Sequence, residues 1–309
     1  MKELRDRVVR EVRKVVVGQD HMVEVLLAGT ATGGHVLLEG VPGVAKTLLA
    51  NAFARAIGVD FRRVQFTPDM LPSDLTGTMT LRAGELAFRP GPVFTNLVLA
   101  DEINRTPPKT QAALLEAMQE RQVSVDGIAR PLPEPFLVVA TQNPIEYEGT
   151  YPLPEAQLDR FLAKLDVGYP SEVDEAAMLR LAHHGVAPAT IDDIEVVANR
   201  EELLALRDLV DATTVAPQII DYVVALVRRT RDLPSVALGA SPRAAVHLLA
   251  ASKAAARLAG REFVIPDDVA AVGPAVLRHR ITLRPEAELE HYRVDDAVAA
   301  AIVSVPVPR

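Results

Sequence analysis

Cysteine and tryptophan are both absent from the 309-residue chain, and aromatic residues make up only 4% of it. Without cysteine there can be no disulfide, thiolate metal site or thiol nucleophile, which fits a reducing compartment and leads to the expectation of a cytoplasmic protein. Scarce aromatic rings leave little for nucleic-acid bases to stack on. Lys and Arg form no block or stripe. The acidity is spread, with 18 basic and 21 acidic residues before Pro170 and 15 and 20 after it, so nucleic acid is not an expected partner. No apolar run approaches the ~18 residues of a membrane-spanning helix, and Met1–Lys14 carry both charge signs without the apolar stretch of a signal peptide. Membrane insertion is therefore not expected.

What is present describes a globular chain: 49% hydrophobic, 24% charged, net charge −8. The length allows one large domain or two. Up to about residue 170, apolar strand-like runs at Val36–Leu38, Phe61–Phe66, Leu97–Ala100, Phe136–Ala140 and Ala163–Val167 alternate with helical segments. That alternation predicts an α/β core whose parallel sheet is covered on both faces. From Ser171 the spacing turns helical, over Glu172–His184, Glu201–Ala212, Pro217–Arg231, Pro242–Leu258 and Asp267–Leu277. Ser171 with Asp174 and Ser241–Pro242 are helix starts, and Gly185 is a stop. The expected division is 1–170 and 171–309, the latter all-α. Two β-hairpins are predicted within the core: Leu75–Phe94 around Arg82–Ala83–Gly84–Glu85, and Gln122–Phe136 around Asp126–Gly127.

The segment His35–Thr47 reads as a short buried strand, a Gly-rich turn (Gly40, Val41, Pro42, Gly43, Val44, Ala45), then Lys46 and Thr47, with a helix from about Leu48 to Ile57. Turn and helix-start N–H groups can face anionic oxygens, with the helix dipole adding to the attraction. The Lys46 ammonium would reach the β- and γ-phosphates of a nucleoside triphosphate, and the Thr47 hydroxyl would ligate Mg²⁺. Ala45 stands where the generic phosphate-loop pattern has glycine, so a tight turn with a solvated lysine is the competing reading.

Downstream segments decide between them. Asn96–Glu102 is an apolar strand delivering Asp101 and Glu102 at its C-terminal end, where α/β sheets place ligands. Asp101 suits Mg²⁺ and Glu102 suits activation of an attacking water, whereas alone the pair could simply cap a helix. Val138–Pro144 is another apolar strand ending in polar residues. Asn143 there could orient the lytic water or touch the γ-phosphate, or serve as a turn asparagine before Pro144. Within Glu155–Phe161, Arg160 is either a solvated partner of Asp159 or a finger reaching a neighbour's site. Arg243, in the first turn after Ser241–Pro242, is a surface charge or a sensor of nucleotide in the same chain. His183–His184 lack metal-pair spacing, Asp69 and Asp74 suit turn caps, Tyr147 and Tyr151 suit packing, and Ala244–Ala259 suits helix packing.

Taken in order, Val17–Gly18–Gln19, Gly40–Thr47, Phe66–Asp74, Leu97–Arg105, Ala140–Pro144, Glu155–Phe161 and Ser241–Arg243 resemble the AAA+ ATPases, and specifically their MoxR branch, over nearly the whole chain. MoxR proteins commonly carry alanine at the position of Ala45. The resemblance implies an AAA+ core of five parallel strands flanked by helices, a C-terminal helical lid, and ATP with Mg²⁺. It implies Walker A roles for Gly40 to Leu48, Walker B roles for Asp101 and Glu102, and sensor 1 for Asn143. Arg160 becomes the arginine finger and Arg243 sensor 2, with Gly18 and Gln19 beside the adenine. Residues 75–94 resemble the helix-2 insert and 122–136 the pre-sensor-1 hairpin, with a use in gripping a partner. The family further implies a homo-oligomeric ring, usually a hexamer, acting as a chaperone-like remodeller of client proteins, often ones with von Willebrand A-type domains. An arginine acting in trans requires a head-to-tail interface, which closes into rings. The alternatives are a non-catalytic ATP-dependent assembly scaffold, a motor subunit of a metal-chelatase-like complex, or a small-molecule kinase.

Overall fold

The structure, a computed structural model, describes residues 1–82, 84–143, 149–183 and 190–308. Ala83 in the first hairpin turn, Pro144 and Tyr147 after Asn143, and His184 with the helix stop Gly185 lie outside the described residues.

Packing divides the chain into two units. The first comprises Glu3–Leu153 and Leu165–Leu204; the second comprises Met1–Lys2, Pro154–Lys164 and Ala205–Arg309. This differs from a single cut near Tyr169–Ser171. The stretch after residue 190 is hydrogen-bonded into the first unit: the Glu195 N–H donates to the Glu11 carboxylate at 2.9 Å, and the Val197 N–H to the Ala56 carbonyl at 2.8 Å.

Up to residue 142 the elements run α1 (Lys2–Val12), α2 (Asp20–Thr32), β1 (Val36–Gly40), α3 (Lys46–Ala56), β2 (Phe61–Gln65), α4 (Pro72–Thr76), β3 (Gly77–Arg82), β4 (Glu85–Pro90), β5 (Leu97–Asp101), α5 (Pro108–Glu120), β6 (Gln122–Val125), β7 (Ile128–Pro131) and β8 (Leu137–Gln142). There follow α6 (Glu155–Leu158), β9 (Ala163–Val167), α7 (Glu172–His183) and α8 (Arg200–Asp211). Strands β2-β5-β8-β1-β9 form one sheet in that order, with parallel pairing along β2, β5, β8 and β1. The registers Gln65↔Asp101, Ala100↔Ala140 and Leu38↔Thr141 bring the C-terminal ends of four strands level. Interior strands are apolar because helices cover both faces, and every residue of β5 is buried. Edge strand β2 reads Phe-Arg-Arg-Val-Gln, and only Val64 is buried. The run Phe61–Phe66 is thus apolar only in part, and two of its polar residues, Arg63 and Gln65, reach the site described below.

The two predicted hairpins are antiparallel ribbons outside the sheet, β3–β4 and β6–β7. The second turns through Asp126 and Gly127, both with positive φ (52° and 76°), the backbone that an Asp-Gly pair permits. The Arg130 guanidinium lies 4.0 Å from the centre of the Phe88 ring, and Phe88 meets Phe94 edge to face. Leu81, Leu86 and Ile128 near the ribbon tips are exposed.

The second unit continues with α9 (Pro217–Arg231), β10 (Val236–Leu238), α10 (Pro242–Leu258), α11 (Pro266–Leu277), β11 (Thr282–Leu283), α12 (Pro285–Leu289) and α13 (Val294–Ser304). Its core holds Leu226, Leu248, Ala254, Val269 and Val298, and the alanines of α10 let that helix lie close along α11. The β10–β11 ribbon departs from the all-α expectation; strands of three and two residues are too short to show a period-two pattern. Among the described residues, no helix is long and apolar enough to cross a membrane.

Candidate functional site

At the C-terminal end of β1 the chain turns tightly into α3. A Cβ on Gly40 would lie 2.2 Å from the Val167 carbonyl oxygen, so the approach of β1 to β9 demands glycine. Gly43 has φ +83° and faces open space. Ala45 is also left-handed, at φ 59° and ψ 22°, a conformation that strains any residue with a Cβ by about 1–2 kcal/mol. The turn therefore keeps the backbone a glycine would adopt and accepts the strain. Ala45 has no side chain with which to cap the first N–H groups of α3. Between them, Val41 and Pro42 complete the turn, Val44 is buried, and Leu48 is exposed one turn into α3.

Lys46, the first residue of α3, folds back over this turn. Its ammonium donates to the Gly40 carbonyl at 2.6 Å and lies 3.5 Å from the Gln142 carbonyl at the end of β8. Burial lowers its pKa, while Asp101, Glu102 and Glu39 oppose the shift. A cation cradled by carbonyls and near three carboxylates is one that an anionic ligand can take over. Thr47 follows on the same first turn.

The carboxylates are held just as closely. Asp101 Oδ1 accepts from the Thr141 hydroxyl at 2.6 Å, and Oδ2 accepts from Arg63 Nε and Nη2 at 3.0 and 2.8 Å. The Glu102 N–H donates to the same Thr141 hydroxyl at 2.9 Å. Glu102 is left-handed (φ 58°), which ends β5 abruptly and turns its side chain from the strand direction. There Glu102 Oε2 accepts from Gln65 Nε2 at 2.6 Å and pairs with Arg105 Nε at 3.2 Å. Asn143, buried, is the residue after β8. The structure thus gathers Lys46, Asp101, Glu102 and the end of β8 at one end of the sheet.

Arg63, Gln65, Thr141 and Arg105 escaped the motif-based reading. Their signal was available: Arg63 and Gln65 alternate in a strand otherwise flanked by phenylalanines, and period-two polar residues on an edge strand point to one face.

Gly18 and Gln19 lie at the start of α2. An open cleft of about 440 Å³ there is lined by Arg13, Val17, Gly18, Asp20 and, from α7, Asp174, Ala177 and Arg180. Gly18 has φ +77°, and a Cβ would lie 2.7 Å from the Asp174 carboxyl group. Arg13 pairs with Asp20 across the cleft's rim.

Arg160 and Arg243 both belong to the second unit. Arg160 follows the short α6, its N–H bonded to the Gln157 carbonyl. Arg243 stands in the first turn of α10, whose N-cap Ser241 accepts from the Ala244 N–H, as the Ser–Pro start predicts. Of the features set aside earlier, Asp74 caps the Leu71 N–H at 2.8 Å and Asp69 accepts from Thr67, both turn-capping roles. Among the described residues, no cluster of His, Cys, Asp and Glu is assembled for a metal by protein ligands alone.

The family model described as "ATPase family associated with various cellular activities (AAA)" matches residues 35–163, and an AAA lid domain model matches residues 228–301. The Bacillus subtilis protein YeaC is 48% identical over 99% of this chain and 95% of its own. Chaperone MoxR1 of Mycobacterium tuberculosis is 47% identical over 98% of this chain and 82% of its own. A crystal structure of a Cytophaga hutchinsonii protein, assigned as an ATPase, superposes with a TM-score of 0.91 at 41% identity, covering 99% of this chain and 96% of that one. The strand order, the level strand ends and these relatives lead to one conclusion: the chain belongs to the MoxR family of AAA+ ATPases.

Proposed function

We propose that the chain hydrolyses ATP to ADP and phosphate with Mg²⁺, and that turnover in a homo-oligomeric ring, a hexamer by family precedent, remodels partner proteins. The observation that carries this reading is the cluster at the strand ends: Lys46 on its carbonyls beside Asp101 and Glu102, which share the Thr141 hydroxyl.

The residues fit the two ligands. The open turn at Gly43 and the uncapped start of α3 offer N–H groups to phosphate oxygens, and Lys46 can exchange its carbonyl contacts for β- and γ-phosphate oxygens. The Thr47 hydroxyl and the Asp101 carboxylate are hard oxygen donors suited to hold Mg²⁺, with Arg63 and Thr141 fixing Asp101's orientation. Bound Mg²⁺ would neutralise charge on the β- and γ-phosphates. Gly18, Gln19 and the cleft beside α7 suit the base. Glu102 takes the role of general base: Gln65 and Arg105 hold its carboxylate, while Asn143 just past β8 orients the attacking water. Arg160 supplies positive charge to a neighbouring subunit's site, and Arg243 senses nucleotide bound to its own chain.

The name Chaperone MoxR1 carried by the Mycobacterium relative supports a chaperone role, and client proteins with von Willebrand A-type domains are the partners we favour. Replacing Glu102 by Gln should leave ATP binding intact and slow turnover by about 10²–10⁴-fold. Wild-type turnover in Glu102→Gln would remove Glu102 as the base. A ring that binds ATP without any turnover in the unmodified protein would favour the assembly-scaffold reading. Proteins co-purifying with Glu102→Gln in ATP would identify the client.

A further inference from the structure

In the second unit, one carboxylate joins the two segments that carry Arg160 and Arg243. Asp159 Oδ1 accepts from Arg280 Nε at 2.8 Å, and both Asp159 oxygens lie 2.9 Å from the Ser241 hydroxyl. Arg280 is fully committed to the protein. Its side chain is 1% exposed, and Nη2 donates to the Asp159 carbonyl at 3.1 Å, to the Phe161 carbonyl and to His247 Nδ1 at 2.6 Å. Nη1 donates to the carbonyls of Leu162 and Val276.

Arg243 approaches the same carboxylate differently. Its Nη1 is 3.7 Å from Oδ2, beyond hydrogen-bond length, and its side chain is 44% exposed. It meets the oxygen that Arg280 leaves uncovered. Two guanidinium groups thus share one negative charge, and the loosely held one is free to exchange. Burial above all pulls the Arg280 pKa down to about 10, Asp159 holds it up, and the nearby Arg243 charge adds a smaller downward push.

We propose that Asp159 is a positioning residue: it keeps Arg243 in a loose resting pair, releases it to nucleotide phosphate, and passes that change to Arg160, its neighbour in the chain. The link is short on both sides. Ser241, which donates to Asp159, also caps α10 two residues before Arg243. The Asp159 carbonyl, which belongs to the peptide leading into Arg160, is clamped by Arg280. Release of Arg243 leaves Asp159 fully to Arg280 and Ser241, tightening the segment that presents Arg160.

The proposal rests on the reading of Arg243 as a nucleotide sensor, and a mutant cycle separates the two. Binding of a fluorescent ATP analogue and steady-state hydrolysis are measured for wild type, Asp159→Asn, Arg243→Ala and the double variant. Asp159→Asn should tighten binding by about threefold, the scale of a loose ion pair, and lower kcat, and the tightening should vanish in the Arg243→Ala background. If Asp159→Asn changes binding equally in both backgrounds, the proposal fails while the sensor reading stands. If Arg243→Ala alone leaves binding unchanged, the sensor reading fails and takes the proposal with it. Should Asp159→Asn fail to fold by circular dichroism, Ser241→Ala replaces it in the same cycle. Without the Ser241 hydroxyl, Asp159 draws Arg243 closer, so a loosening of binding that depends on Arg243 supports the proposal, and an additive shift overturns it.

Discussion

Two aspartates in this molecule are held by the same two kinds of group, a hydroxyl and a guanidinium, and they differ in what surrounds the arginine. Asp101 takes a hydroxyl hydrogen bond from Thr141 and two N–H bonds from Arg63; Asp159 takes a hydroxyl bond from Ser241 and one N–H bond from Arg280. Arg63 stands on an edge strand with 51% of its side chain exposed, and it also donates to Gln65 Oε1 at 2.8 Å. Arg280 is buried and spends its remaining N–H groups on backbone carbonyls and an imidazole. An exposed guanidinium can be displaced cheaply by a better ligand, whereas a buried one whose every neighbour is an acceptor is part of the scaffold. The Asp–Arg pair is thus a solvent-accessible orienting contact in one unit and a buried, fixed joint in the other.

The largest test of that contrast is Arg280→Ala, which should cost about 3–5 kcal/mol by stranding Asp159 and several carbonyls. A urea-unfolding loss below about 1 kcal/mol would erase the distinction between the two pairs. The second test uses acid. Burial, then the Arg280 charge, holds His247 down to about 4, from 6.5 in an unfolded chain. Between those values the unfolded chain binds the proton and the folded one does not, so stability should fall as pH drops from about 6.5 to about 4. The ceiling is about 3 kcal/mol, and His279, also pushed down by burial, adds in the same direction. His247→Gln should show a shallower acid loss; parallel curves would mean that Arg280 does not depend on a neutral imidazole. Next, Arg63→Ala should cost at most about 1 kcal/mol of stability, read from the urea midpoint, because its partner keeps Thr141 and the nearby Lys46. A loss near that of Arg280→Ala would make both pairs structural. The last test is Ala45→Gly. The turn already holds the left-handed backbone a glycine would adopt, so the phosphate-facing N–H groups keep their places and nucleotide affinity should move by less than about tenfold, roughly 1.4 kcal/mol.

How much of this was legible follows a physical line. Pro217–Arg231, Pro242–Leu258 and Ala163–Val167 coincide with α9, α10 and β9, because proline fixes a helix start and an apolar run ends where the sheet ends. The placement of Lys46, Asp101, Glu102 and Asn143 at strand ends was legible because each lies at a junction between strand and turn, where local sequence carries the signal. Arg63 and Arg280 were not. Arg63 reaches Asp101 through strand pairing, and Arg280 reaches Asp159 across 121 residues of chain, so no local spacing encodes either contact. The β10–β11 ribbon was hidden for lack of length. The domain cut moved because 171–204 reads as generic helix and loop, while its attachment depends on backbone hydrogen bonds to Glu11 and Ala56 that leave no compositional trace.

The stacking of Arg130 on Phe88 has a mechanical consequence. A two-stranded ribbon alone is marginally stable in water. Here the first ribbon's Phe88, braced by Phe94, is clasped by a cation from the second ribbon, so neither can swing without dragging the other. A disturbance of the first ribbon, whose Leu81 and Leu86 are exposed, therefore meets the second at Phe88, and the second begins where α5 ends. The two hairpins are coupled by that contact, worth about 0.5–1 kcal/mol where exposed, rather than standing as wholly independent fingers.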